Sequence, residues 1–115
     1  MPDAIYKICP EVLWHAAQEA GSFAGAPVDL VDGYIHFSTG AQVRETAARH
    51  FAGQTGLLLL AVDAAALGGH LRWEPARGGD LFPHLYAALP VAAVFRVDPL
   101  PLGPDGTHCF PPSLP

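Results

Sequence analysis

The hydrophobic and polar positions of the chain fall into two periods, one typical of strands and one typical of helices. Residues 4–8 predict a first strand, and the apolar positions that follow recur at helical spacing as far as Ala20. Pro10 opens this helix, because a missing N–H costs little at a helix start, and Gly21 ends it. The chain therefore begins with a predicted strand and an amphipathic helix.

A second strand and a second helix follow. Apolar and polar residues alternate over residues 33–37, which is the period of a strand with one apolar face. Thr39 and Gln42 have the three-residue spacing of a capping box. This spacing predicts a helix over residues 41–52.

The remaining pattern predicts mainly strands. Residues 57–63 form a continuous apolar run, as in a strand buried on both faces, and residues 64–67 predict a turn or a single helical turn. Residues 70–74 and 91–97 predict two further strands. Prolines recur through residues 98–115 and predict an extended tail.

Length and charge narrow the class of protein. A chain of 115 residues is long enough to bury roughly two thirds of its unfolded surface, so residues 1–115 are predicted to form a single domain with its core at about residues 4–97. The net charge is −5 and the six basic residues are scattered, which argues against general nucleic-acid binding. The longest apolar run is too short to span a bilayer and there is no leader pattern, so we expect a cytoplasmic protein without a membrane segment.

One polar cluster lies at the end of the second strand. Tyr34, His36 and Ser38 share one face of that strand, and the chain then enters a helix at Thr39. An imidazole titrates near neutrality, and polar groups that converge on a helix start favour a small-ligand site. Either hydroxyl can also serve simply as the helix cap.

A second polar cluster follows the 70–74 strand. Trp73 can be a core residue or a stacking platform, and Glu74 can carry a raised pKa or form a surface ion pair with Arg77. His84 and Tyr86 point the same way if their segment is extended. A metal held by His36, Glu74 and His84 lacks any characteristic ligand spacing, so no metal is predicted.

These two clusters predict one cleft. We expect His36 and His84 to lie on its walls although 47 residues separate them. The alternative is that the polar residues only join two sheets through buried hydrogen bonds. Exposure of these side chains to a cleft distinguishes the two interpretations.

The order of these segments resembles that of a small bacterial family catalogued as domain of unknown function 952. The resemblance covers residues 4 to about 97 and is carried by four stretches: Ile5-Tyr6-Lys7-Ile8, Asp32-Gly33-Tyr34-Ile35-His36-Phe37-Ser38-Thr39, Trp73-Glu74 and Phe82-Pro83-His84-Leu85-Tyr86. It implies an α+β fold similar to that of the ADP-ribosyltransferases, with split antiparallel sheets that cradle NAD and two helices near the N-terminal half. The stretch around His36 is similar to the second NAD-site motif and to the RNA 2′-phosphotransferases.

The resemblance also implies a set of roles. Tyr6 and Lys7 stand where such enzymes carry a His or Arg for the NAD ribose, and Glu74 stands near the place of their catalytic glutamate. The implied catalytic residues are Glu74, His36 and His84, and the implied ligand-binding residues are Tyr6, Lys7, Ser38, Thr39, Trp73, Arg77 and Tyr86. The implied ligand is a nucleotide or ribose phosphate, with NAD as a substrate and no other cofactor. The alternative function is a non-catalytic module that binds a small ligand or a protein.

Overall fold

The computed structural model describes residues 3–115, apart from the side chain of Arg77. The helices among these residues are α1 (Glu11–Ala20), α2 (Pro27–Asp32) and α3 (Val43–His50), with 3₁₀ turns at Ala64–His70, Arg77–Gly79 and Val91–Ala93. The strands are β1 (Ala4–Pro10), β2 (Ser22–Phe23), β3 (Ile35–His36), β4 (Leu57–Asp63), β5 (Leu71–Pro75), β6 (Leu81–Leu85), β7 (Leu89–Pro90) and β8 (Val94–Pro99). This mixture of helices and antiparallel strands confirms the α+β class.

The first sheet has the strand order β1-β4-β8, and both of its pairings are antiparallel. Its central strand, β4, is the predicted apolar run, and both of its faces are covered. Leu60 and Val62 pack in one core cluster with Trp14 of α1, while Leu59 packs in a second cluster with Val43 of α3. The continuous apolar sequence follows from this two-sided burial.

The second three-stranded sheet has the order β3-β6-β5 and presents two unlike faces. Ile35 pairs with Leu85 in the core, and the neighbouring pair His36 and His84 lies on the opposite face, because side chains alternate along a strand. Strands β2 and β7 form a separate two-stranded ladder.

Among the described residues, one isolated bridge joins the two larger sheets. Tyr6 N donates to Ser38 O over 2.8 Å, and Ser38 N donates to Tyr6 O over 2.9 Å. The chain leaves β3 at this point and enters the turn before α3. The bridge therefore fixes β1 beside the polar end of β3.

Several predicted elements are shorter than expected. The strand predicted over residues 33–37 is regular only at Ile35–His36, and the helix predicted over residues 41–52 is Val43–His50. The strand predicted from residue 91 begins at Val94, after a 3₁₀ turn. Both helices predicted near the N-terminal half are present as α1 and α3, and a third helix, α2, lies between them.

The proline-rich tail is extended but packed. Leu100 and Leu114 are buried in the cluster beneath α3, and Leu102 forms an isolated bridge with His108. The Nε2 atom of His108 lies 2.8 Å from the carbonyl oxygen of Gln54. The tail thus closes one face of the first sheet. Within residues 3–115, no helix is both long enough and apolar enough to cross a membrane.

Candidate functional site

A cavity of about 500 Å³ lies between β1, α2, the β3–β6 pair and α3. Its wall is mostly apolar, with a few polar side chains among aromatic and aliphatic ones. The lining residues are Tyr6, Lys7, Ile8, Val28, Asp32, His36, Phe37, Ser38, Thr46, His50, Phe51, Ala76, Phe82 and His84.

His36 and His84 lie side by side on this wall. They are directly paired on β3 and β6, and their ring centroids are 5.6 Å apart. The ring of Tyr34 packs against both, at 4.2 Å from His84 and 4.7 Å from His36. The predicted common cleft for the two histidines is therefore present, and the antiparallel pairing of β3 with β6 creates it.

His36 is held between two carboxylates of α2. Its Nδ1 lies 2.6 Å from Oδ1 of Asp29, and its Nε2 lies 2.9 Å from Oδ2 of Asp32. An ionised carboxylate only accepts hydrogen bonds, so both contacts are made at once only when both ring nitrogens carry protons. The two ring nitrogens of His36 therefore both face carboxylates.

Asp29 also forms a buried ion pair with Lys7. The Nζ atom of Lys7 lies 3.0 Å and 3.1 Å from the two carboxylate oxygens, and the two side chains are 6% and 1% exposed. The Asp29 carboxylate further accepts hydrogen bonds from the backbone N–H groups of Ala26 and His36.

The pKa values of this pair reflect burial and mutual charge. Burial of Asp29 acts to raise its pKa, but the hydrogen bond from His36 and the Lys7 charge outweigh it and lower the pKa to about 2. Burial lowers the pKa of Lys7, and the Asp29 charge opposes this shift. The charge of Lys7 is thus matched by Asp29 inside the protein.

His84 has a carboxylate partner of its own. Its Nδ1 lies 2.9 Å from Oε1 of Glu74, which also accepts a 2.7 Å hydrogen bond from the Tyr86 hydroxyl. These bonds from Tyr86 and His84 lower the pKa of Glu74, and the bond to Glu74 raises the pKa of Tyr86. Since Nδ1 donates to the carboxylate, Nε2 is the ring atom of His84 that remains for a ligand.

The predicted site residues divide into those on the cavity wall and those away from it. Tyr6, Lys7, His36, Ser38 and His84 line the cavity. The hydroxyl of Ser38 lies 2.8 Å from that of Thr46 on α3, which sequence reasoning did not single out.

Four predicted site residues take other places. Glu74 and Tyr86 support His84 from behind and are not among the lining residues. Thr39 caps the turn into α3. The residues of α3 that line the cavity are Thr46 and His50, which lie in its second half and not at its start.

Trp73 lies on the far side of the second sheet. It pairs with Pro83, whereas its neighbour Glu74 pairs with Phe82 on the histidine face. It is 45% exposed, so it is neither a core residue nor part of the cavity wall. The side chain of Arg77 lies outside the described part of the chain, although its neighbour Ala76 lines the cavity.

Sequence reasoning missed Asp29 and Asp32, because both lie on the unpredicted helix α2. A signal for this helix is present in the sequence. Pro27 stands at its first turn and Gly33 ends it with a left-handed φ of 86°. A proline and a glycine in this order bracket a short helix that carries both carboxylates.

A family model described as "Protein of unknown function (DUF952)" matches residues 8–97. The chain belongs to this family. No curated protein matches it.

Three solved structures are similar over nearly the whole chain, and all are of protein CC0527 from Caulobacter crescentus. Its crystal structure is 51% identical, covers 92% of this chain and 93% of that chain, and has a TM-score of 0.89. A crystal structure of its double mutant is 49% identical, with the same coverage and TM-score. Its solution NMR structure is 51% identical, covers 91% and 90% of the two chains, and has a TM-score of 0.82.

No cluster of three or more metal-ligating side chains occurs in the part of the chain that the structure describes. The polar groups of the cavity instead form two carboxylate–imidazole pairs. This arrangement is suited to hydrogen bonding and to proton transfer.

Proposed function

We propose that the cavity binds a ribose-containing nucleotide of the NAD or ADP-ribose class, within a fold that is similar to the ADP-ribosyltransferases. The observation that carries this proposal is the adjacent pair His36 and His84 on the wall of a cavity between two split sheets. The volume of about 500 Å³ lies within the range of small-molecule sites, roughly 300–1,000 Å³.

The lining of the cavity supports a nucleotide as the ligand. Phe37, Phe51 and Phe82 offer apolar surface for a base. The polar groups are few and lie close together, as in sites where a small number of hydrogen bonds fixes the orientation of a ligand. The bridge between Tyr6 and Ser38 holds the two sheets at the cavity.

The two imidazoles suit different roles in a transfer from NAD. His84 accepts at Nε2 the proton of an attacking hydroxyl while the bond from ribose to nicotinamide breaks and the new bond from oxygen to ribose forms. His36 is a positioning residue, because its two ring nitrogens are held by Asp29 and Asp32 and its Nε2 orients the Asp32 carboxylate at the cavity. Glu74 is a positioning residue in this scheme, because it orients His84 and does not line the cavity.

A second candidate is binding without turnover. The resemblance implies that Glu74 stabilises the developing positive charge of the ribose, yet its carboxylate is occupied by His84 and Tyr86 away from the cavity wall. This observation favours a module that holds its ligand unchanged.

The test is a titration of the ¹⁵N-labelled protein with NAD, ADP-ribose and a 2′-phosphorylated ribose, followed by calorimetry and an assay for released nicotinamide. We expect chemical-shift changes at both His36 and His84, and weaker binding in His84→Gln. His15→Gln is the matched control, since His15 is an exposed histidine of α1. Nicotinamide release separates the enzyme from the binding module, and no binding of any of the three at millimolar concentration overturns the proposal.

A further inference from the structure

We infer that Asp32 selects the ligand: its carboxylate accepts hydrogen bonds from the hydroxyls of a ribose, so the site takes a ribose with free 2′- and 3′-hydroxyls and rejects a 2′-phosphate. This inference rests on the proposed function and names the substrate class of the same cavity. Among the ligands named in that proposal, we expect a 2′-phosphorylated ribose to bind most weakly.

Asp32 lies on the cavity wall. Among the cavity-lining residues that the structure describes, Asp32 is the one carboxylate. The side chain of Asp29 is only 1% exposed and sits behind His36, whereas that of Asp32 is 41% exposed. Asp32 is therefore the acidic group that a bound ligand meets.

One carboxylate oxygen of Asp32 is bound within the protein. Its Oδ2 is held by Nε2 of His36 at 2.9 Å, which fixes the orientation of the carboxylate. Among the side chains that the structure describes, which exclude that of Arg77, Oδ1 has no hydrogen-bond partner. An ionised carboxylate has acceptor sites only, so the group that completes it must be a donor such as a hydroxyl.

The charged groups around the cavity favour a neutral partner for Asp32. Lys7 is paired with Asp29, and the ring of His36 lies between Asp29 and Asp32, so the basic groups on this side of the cavity already face carboxylates. A 2′-phosphate would bring a charge of about −1.5 to −2 directly against the Asp32 carboxylate, and the two anions would repel each other. A neutral vicinal diol brings two donors and no charge. A carboxylate opposite the ribose 2′-hydroxyl is also how dinucleotide sites of another fold discriminate against a 2′-phosphate.

The experiment compares two ligands that differ by one group, ADP-ribose and ADP-ribose 2′-phosphate, by calorimetry on the wild-type protein and on Asp32→Asn. We expect the wild type to prefer ADP-ribose by tenfold or more, and Asp32→Asn to reduce this preference at least fivefold, because asparagine keeps an acceptor for His36 but loses the charge. Glu45→Gln is the matched control, since Glu45 is an exposed carboxylate on α3 that pairs with Arg49. It should leave the preference unchanged.

A third ligand tests the hydrogen bond itself. We expect 2′-deoxy-ADP-ribose to bind the wild type at least threefold more weakly than ADP-ribose, and this loss to shrink in Asp32→Asn. Equal wild-type affinity for the two main ligands, tighter binding of the 2′-phosphate, or an unchanged preference in Asp32→Asn overturns the inference while the proposed function stands. No binding of any of them overturns both.

Discussion

Asp29 is the residue on which the polar side of the cavity depends. Its carboxylate contacts β1 through Lys7 and β3 through His36, and it is almost completely buried. The backbone around it is adapted to this position. Gly25 has a φ of 123°, and a Cβ there would lie 2.9 Å from Cβ of Asp29, so a glycine is required for the close approach. Asp29 thus combines a structural role with the orientation of His36.

The first prediction concerns the buried pair. Lys7→Met and Asp29→Asn should each lower the free energy of unfolding by about 3–5 kcal/mol, because each leaves one buried charge without its partner. The double variant should lose less than the sum of the two single losses, since neither charge then remains. Urea denaturation measures all three.

The control for this prediction is an exposed ion pair. Arg49 and Glu45 lie 3.3 Å apart on α3 with both side chains more than half exposed, so Glu45→Gln should leave the unfolding curve unchanged. Wild-type stability in both Lys7→Met and Asp29→Asn would contradict the assignment of a buried pair.

At the scale of helices and strands, those with a regular spacing of apolar residues could be predicted from the sequence. Strand β4 and helix α1 appear where their periodicity places them, because each has a regular apolar surface to bury. Helix α2 buries a charged residue and exposes apolar ones. Its Asp29 points inward while Val28, Leu30 and Val31 are exposed, so no amphipathic signal marks it. Strand β3 is short because the chain turns at Ser38 to pair with Tyr6, a contact that local pattern cannot reveal.

Thr39 and Gln42 form a pair of reciprocal hydrogen bonds at the start of α3. Gln42 N donates to Oγ1 of Thr39 over 3.2 Å, and Thr39 N donates to Oε1 of Gln42 over 3.0 Å, so the capping box predicted by their spacing is present. Thr39→Ala should therefore lower the free energy of unfolding by about 1 kcal/mol.

Urea denaturation also measures this effect. Thr55→Ala is the matched control, because Thr55 is exposed in the turn before β4 and should tolerate alanine. Equal losses in the two variants would show that Thr39 does not act as a cap.

At the scale of the whole molecule, the site is a product of long-range pairing. The polar residues of the 33–37 and 82–86 segments indicated that His36 and His84 share a cleft, and antiparallel pairing brings them together. The partners of these histidines were harder to predict. Asp29 and Asp32 belong to an unpredicted helix, and the direction of the Glu74 side chain depends on the β5–β6 register. The types of side chain are readable from the sequence, whereas their contacts follow from tertiary structure.

The acid stability of the whole molecule should depend on Asp29. Its pKa is about 2 in the folded protein against an ordinary value of 3.8, so the folded state favours the ionised form. A lowered pKa stabilises the fold at pH values above the unfolded pKa, and this stabilisation is lost as the pH falls through the folded pKa. The loss between pH 4 and pH 2 should be about 2 kcal/mol, from the two pKa values and about 1.4 kcal/mol for each pH unit.

The measurement is the free energy of unfolding by urea at pH 6, 4, 3 and 2 for the wild type and Asp29→Asn. The pKa values of Glu74 and Asp105 are also lowered, by their hydrogen bonds to Tyr86 and Thr107, so both proteins should become less stable in acid. The difference between the two proteins isolates Asp29, because only the wild type has a carboxylate there to protonate. We expect this difference to shrink by about 2 kcal/mol between pH 6 and pH 2. A constant difference across this range would mean that the ion pair with Lys7 and the contact with His36 do not hold Asp29 ionised in the fold.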